Sequence, residues 1–347
     1  MKFLFQGISF LFISSLLILN LYYSIKLFIC LRNRDFKFLK SEKELDKRNY
    51  KYQKEEGKEQ YNKNIKINNI KKFINFNVIE NIDLNIFKLI ENKIKDIVEL
   101  TLEEQKFFHG LIRTIKPKKI VEIGVSRGGS SVLILNSIKD IENARLFSID
   151  KLNYCYRNKK KKPGYIVEEK FPELMNKWTR YIGTLTSQVI EKIGNDIDLA
   201  FIDTMHIMHI TPGEMLDWLI VLPFLKDKAI VVFHDTYVLY NSKLYINTKT
   251  ITSNNQLICY IRGELILPQY GNKTFNRNIG ALKLASGQKN YYYQYFLALA
   301  IQWEYMPSKT DIQLMRYFFI KYYGKKYVDI FDEALEKNKI YLDNFKK

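Results

Sequence analysis

Cysteine is scarce and badly placed for pairing: the chain has three, Cys30, Cys155 and Cys259, far apart and never in C-x-x-C spacing. That excludes a disulfide framework and a thiolate zinc site, and it fits a reducing compartment. No Lys-Ser or Lys-Thr pair follows a glycine-rich loop, so an ATPase-type phosphate cradle is absent. Gly124, Gly128 and Gly129 also miss the G-x-G-x-x-G spacing of a dinucleotide site, and no Tyr-x-x-x-Lys pair supports a nicotinamide-dependent sugar enzyme. Internal repeats are lacking as well. Acids are outnumbered, 37 against 55 Lys and Arg, giving a net charge of +18. Such a surplus suits nucleic acid, but the lysines are scattered and no nucleic-acid module accompanies them. Only Lys159 to Lys162 forms a compact basic run. It is either a loop bordering the site and meeting an acidic substrate, or a solvated surface loop.

What is present is a chain of 347 residues, 47% hydrophobic, enough for one sizeable domain with appendages. Residues 120 to 131 read IVEIGVSRGGSS: an apolar run, a glycine turn and a small-residue loop that opens into the helix-like VLILNSI. Glycines let backbone approach a ligand, and a helix N-terminus offers free N–H groups. Glu122 would repel a diphosphate and suits the cationic amino-acid end of S-adenosylmethionine. A second strand-like run, ARLFSID, ends in Asp150, placed to take ribose hydroxyls. IDLAFID ends at Asp203 and AIVVFHD at Asp235, both apolar without alternation, as buried parallel strands are. Helical spacing between them, as in 212–225, predicts repeated βα units with ligands beyond the carboxyl ends of the strands. Glu122, Asp150, Asp203, His234 and Asp235 are therefore expected to converge on one crevice.

In this order, VEIGVSRGGSS, FSID, DLAFIDTMH and VVFHDT make residues 102–284 resemble the class I S-adenosylmethionine-dependent methyltransferases, particularly the metal-dependent small-molecule and sugar O-methyltransferases. The resemblance implies an α/β, Rossmann-like seven-stranded sheet with helices on both faces. It implies cofactor binding by Glu122, Gly124, Ser126, Gly128, Gly129, Ser130 and Ser131, then Asp150 at the ribose, Gly183 and Thr184 beside the adenine, and Asp203. It also implies a divalent metal, magnesium or manganese, held by Asp203, His234 and Asp235. His206, three residues after Asp203, matches the relatives' catalytic base. His234 stands where many relatives have a carboxylate, so His234 as base with His206 as ligand is the alternative, and an imidazole makes manganese, iron or zinc more acceptable. Thr204 replaces the usual glycine. His209 reads as a buried, hydrogen-bonded residue rather than a ligand, and His109, on a predicted helix before the glycine loop, as structural. The expected reaction is methyl transfer to a hydroxyl of a small molecule or glycan. The alternatives are a nucleic-acid methyltransferase and an inactive cofactor-binding module.

Both ends add appendages. From Phe3 to Ile25 there are 23 residues without charge, enough to cross a hydrocarbon core as a helix. The run is longer than a signal peptide's apolar region and lacks a cleavage-type site. Lys26, Arg32, Arg34, Lys37 and Lys40 follow it, which predicts a single-pass anchor over residues 1–31 with the catalytic domain cytoplasmic. Residues 32–90 read as a charged linker or stalk, residues 91–286 as the methyltransferase domain. Residues 287–347 read as an aromatic-rich, mostly helical extension whose face packs on the domain, covers the crevice or buries a homo-oligomer contact.

Overall fold

The computed structural model describes residues 82–94, 98–204, 213–234, 261–266, 279–297, 299 and 306–345. In chain order the elements are α1 (Leu84–Ile94), α2 (Leu102–Ile115), β1 (Lys119–Ile123), α3 (Gly129–Ile138), β2 (Arg145–Asp150), α4 (Tyr165–Lys170), β3 (Trp178–Ile182), α5 (Thr186–Ile193), β4 (Ile197–Ile202), α6 (Gly213–Val221), β5 (Leu225–His234), β6 (Gly263–Ile266), β7 (Ile279–Leu284), α7 (Tyr292–Leu297), α8 (Lys309–Tyr323) and α9 (Lys325–Phe345).

The strands form one seven-stranded sheet in the order β3-β2-β1-β4-β5-β7-β6. β1 to β5 are mutually parallel, and β7 runs antiparallel between β5 and β6. Because successive side chains point to opposite faces, the apolar runs feed two cores. Val121, Ile123, Ala200, Ile202, Val231 and Phe233 pack with α5, α6 and the C-terminal helices. Ile120, Leu146, Leu199, Phe201, Ile230 and Val232 pack with α1 to α4. Helices thus cover both faces, and the strands need no polar side. The order reverses between β1 and β4, so the crevice of a doubly wound sheet opens beyond their carboxyl ends.

Two segments fall differently from the sequence expectation. α1 begins at Leu84, inside the stretch read as stalk, and buries Ile86, Phe87, Ile90 and Ile94 against the sheet's helical layer. GELI, at residues 263–266, forms the edge strand β6. The extension is helical as expected, and five of its aromatics lie inside the molecule: Tyr295, Phe296, Phe318, Phe319 and Phe331 belong to the same core as α6 and β5, while Tyr317 stands exposed. Among the described residues no helix is long and apolar enough to cross a membrane. The uncharged run Phe3–Ile25 lies outside them, as do His206, His209 and Asp235.

Candidate active site at the carboxyl ends of β1 to β5

The glycine loop between β1 and α3 is built from backbone that ordinary residues resist. Gly124 has φ +90°, and a Cβ there would lie 1.9 Å from the Asp203 carbonyl oxygen, so the ends of β1 and β4 can close up only over a glycine. Gly128, φ +99°, occupies the N-cap of α3 in the left-handed region. Its missing side chain admits Gly164, whose Cα would sit 2.8 Å from a Cβ at position 128. Ser126 takes φ +50°, a cost a non-glycine residue carries only where its surroundings hold it.

Asp150 supplies part of that hold. Its Oδ2 accepts the Val125 and Ser126 N–H groups at 3.1 and 3.3 Å, and its Oδ1 accepts the Leu152 N–H at 2.9 Å. Burial nevertheless raises its pKa, opposed by these three bonds. The acid at the end of β2 therefore fixes the loop's shape. Thr184 follows Gly183 at the end of β3, and its buried hydroxyl has no hydrogen-bond partner among the described residues. A ligand on that side of the crevice would satisfy it.

Glu122 has no exposed surface. It sits opposite Ser148 in the β1–β2 register, and both point under α3. Ser130 donates to Oε1 at 2.6 Å, while Ser131 and Ser148 donate to Oε2 at 2.6 and 2.5 Å. Trp178 Nε1 donates to Ser148 Oγ at 2.8 Å, completing a line from β3 to α3. Burial pushes the Glu122 carboxyl up to about 7 despite the three hydroxyls and with help from Asp203. What Glu122 touches is the first turn of α3, which it holds against the sheet.

One strand over, Asp203 and His234 meet. Asp203 N–H donates to Ile123 O at 2.9 Å, fixing the backbone just past β4. His234, the last residue of β5 and nearly buried, presents Nδ1 3.4 Å from Asp203 Oδ1. Its Nε2 lies 3.8 Å from Glu104 Oε2. Glu104 was not singled out by the sequence reading. The Thr101-x-x-Glu104 pattern marks a capping box at the start of α2, but nothing in it points across 130 residues to β5. Among the described residues no group of three or more His, Cys, Asp or Glu side chains is arranged to hold a metal.

The remaining candidates have structural surroundings. His109 is fully buried on α2: its Nδ1 lies 2.8 Å from Ser137 Oγ, and Nε2 accepts the Asp83 N–H at 3.2 Å. Because Ser137 donates onward to Leu133 O at 2.6 Å, the imidazole is neutral with its proton on Nδ1. Burial lowers its pKa to about 4. In the basic run, Lys161 pairs with Glu169, and Lys159, Lys160 and Lys162 stand at the surface. A second ionic hub borders the glycine loop, where Glu99 receives Ser126 Oγ at 3.3 Å and Arg157 Nε at 3.2 Å, with Arg127 at 3.6 Å.

Residues 121–236 match the family model described as a methyltransferase domain. No curated protein matches the chain. Similar solved structures include the O-methyltransferase TomG from Streptomyces achromogenes, involved in tomaymycin synthesis and bound to SAM, at 14% identity over 59% of this chain and 91% of that one, TM-score 0.41. An O-methyltransferase from Bacillus cereus in complex with SAH is 13% identical over 58% of this chain and 91% of its own, TM-score 0.42. SAH-bound methyltransferase PaMTH1 of Podospora anserina is 14% identical over 62% and 92%, TM-score 0.39. The matched segment runs from β1 through the glycine loop, Asp150 and Asp203 to the end of β5.

Proposed function

We propose that the chain transfers a methyl group from S-adenosylmethionine to a hydroxyl of a small molecule or glycan, assisted by a divalent metal. The observation that carries this reading is the approach of Asp203 Oδ1 to His234 Nδ1, 3.4 Å, one strand from the glycine loop. Two donors each roughly 2.1 Å from a common ion lie about 3.0 to 3.4 Å apart, so the pair fits a shared divalent cation. Asp203, His234 and Asp235 would hold it, and the mixed oxygen and nitrogen set suits manganese as well as magnesium.

The donor would lie along the crevice, its amino-acid end against the loop Gly124 to Ser131 and the first N–H groups of α3, its ribose toward Asp150, its adenine beside Gly183 and Thr184. A divalent ion held by these residues would supply Lewis-acid orientation of an acceptor hydroxyl and a lowered hydroxyl pKa. His206 takes the hydroxyl proton as general base. The oxygen then attacks the sulfonium methyl in line; the new C–O bond forms as the C–S bond breaks, and S-adenosylhomocysteine leaves. The approach of His234 Nδ1 to Asp203 supports His234 as ligand with His206 as base. The uncharged run Phe3–Ile25 and the basic residues after it support a membrane anchor with the domain cytoplasmic. Sugars of surface polysaccharide or lipid-linked glycans are then the acceptors within reach.

Release of S-adenosylhomocysteine across a panel of sugar and phenolic acceptors tests the reading. Chelation is expected to suppress turnover and added Mn²⁺ to restore it. His206→Ala should cut turnover at least about a hundredfold while leaving S-adenosylhomocysteine affinity intact. Turnover indifferent to chelator removes the metal, and equal loss of turnover and affinity in His206→Ala removes the base.

A further inference from the structure

We propose that Glu104 is a positioning residue for His234, holding the imidazole with Nε2 toward α2 so that Nδ1 is the nitrogen offered beside Asp203. The inference deepens the reading above and rests on it for the role of that nitrogen. Three observations carry it. Glu104 is only 4% exposed and His234 7%, so both side chains meet away from bulk water. The ring lies between two carboxylates, with Nε2 3.8 Å from Glu104 Oε2, an electrostatic contact longer than a hydrogen bond, and Nδ1 3.4 Å from Asp203 Oδ1, so each nitrogen faces a distinct carboxylate. Glu104 is itself fixed, because its Oε2 accepts the Thr101 N–H at 2.7 Å while Thr101 Oγ1 accepts the Glu104 N–H at 3.3 Å.

A carboxylate behind a ligating histidine sets which nitrogen carries the proton and how basic the other is. A glutamate serving only as a helix cap needs no buried histidine beside it, and the cap works equally well with glutamine. That equivalence separates the two roles. Glu104→Gln keeps an acceptor for the Thr101 N–H and deletes the charge facing Nε2, whereas Thr101→Ala removes the cap hydroxyl and leaves the carboxylate.

The test uses the full-length chain and two readouts. Selective ¹⁵N-histidine spectra, with His234→Asn to assign the signals, report which ring nitrogen is protonated in protein without added metal. Glu104→Gln is expected to change the His234 pattern, and Thr101→Ala to leave it as in wild type. Mn²⁺ alone, followed by its electron paramagnetic resonance signal, is expected to bind about tenfold or more weakly to Glu104→Gln, with S-adenosylhomocysteine affinity unchanged. An unaltered His234 pattern in Glu104→Gln, or equal changes in both variants, overturns the proposal whether or not Mn²⁺ binds. Failure of wild type to take up Mn²⁺ while the His234 pattern still responds to Glu104→Gln sinks the metal reading and leaves the positioning role standing.

Discussion

At Glu122 burial opposes three hydroxyl donors, and burial wins: the carboxyl titrates near 7 instead of 4.5. Folded protein therefore keeps a proton that unfolded chain releases. The stability this group contributes below about pH 4.5 is lost as pH rises through 7, a change of about 3 kcal/mol for a shift of this size. Asp217, which accepts from Thr186 Oγ1, is raised by burial to about 7 and acts in the same direction. His109 acts oppositely. Buried and neutral, with a folded pKa of about 4 against 6.5, it contributes fully above 6.5 and its contribution is lost as pH falls toward 4. Thermal melts between pH 4.5 and 7 should show Glu122→Gln flattening the decline with rising pH and His109→Gln steepening it. Identical slopes in all three proteins would contradict the assignment. Glu122→Ala and Asp150→Ala are each expected to weaken S-adenosylhomocysteine binding about tenfold in calorimetry, the order of one lost charged hydrogen bond; full affinity in both would detach these acids from the pocket. The type and spacing of both acids were legible in the sequence. That Glu122 faces serines under α3 was not, because its partners include Ser148 on a neighbouring strand and the indole of Trp178 behind it.

Among the elements, the parallel strands were the most readable, since a strand covered on both faces has no polar alternation to disguise it. β6 escaped notice because four residues at a sheet edge, with Glu264 exposed, carry little apolar signal. α1 escaped for another reason: its buried Ile86, Phe87, Ile90 and Ile94 have helical spacing but sit inside a charged, Asn-rich stretch. Only the receiving surface of α2 and α3, with the His109 bond to the Asp83 N–H, shows that this spacing is used. The C-terminal helices join the core through aromatic contacts. Phe296 is fully buried, with ring centroids 5.0 Å from Phe319, 4.9 Å from Tyr323 and 5.0 Å from Tyr327. Tyr323 also donates its hydroxyl to Leu219 O at 2.5 Å. Phe296→Ala is expected to cost about 3 to 5 kcal/mol, and Tyr323→Phe about 1 kcal/mol. Urea unfolding measures both, and a Phe296→Ala loss below 1 kcal/mol would mean that α7 is not bound as described.

For the whole molecule, the extension is part of the fold. Removing residues 287–347 would uncover Trp218, Phe224 and Phe233, which now face Tyr295, Phe318 and the rest of that cluster. An exposed apolar surface of that kind drives association. A chain ending at residue 286 is therefore expected to lose its cooperative thermal transition and to aggregate, whereas a soluble product with an unchanged melting temperature would show the extension to be separable. The same packing places Tyr295, Phe296, Phe318, Phe319 and Phe331 inside the protein, where they fill the layer beneath α6.

Sequence by itself determined the chemistry on offer: which strands end in acids, where glycines permit a tight loop, and which spacing is wrong for phosphate or nicotinamide ligands. These are local properties, written in residue type and separation along the chain. The tertiary structure decided which groups meet. Register between β1 and β2 set Glu122 beside Ser148, and the β4–β5 pairing brought Asp203 to His234. Packing of α2 over that edge delivered Glu104 to the other side of the same imidazole. Such neighbours are fixed by strand order and helix docking, and no spacing along a single chain encodes a distance across a sheet.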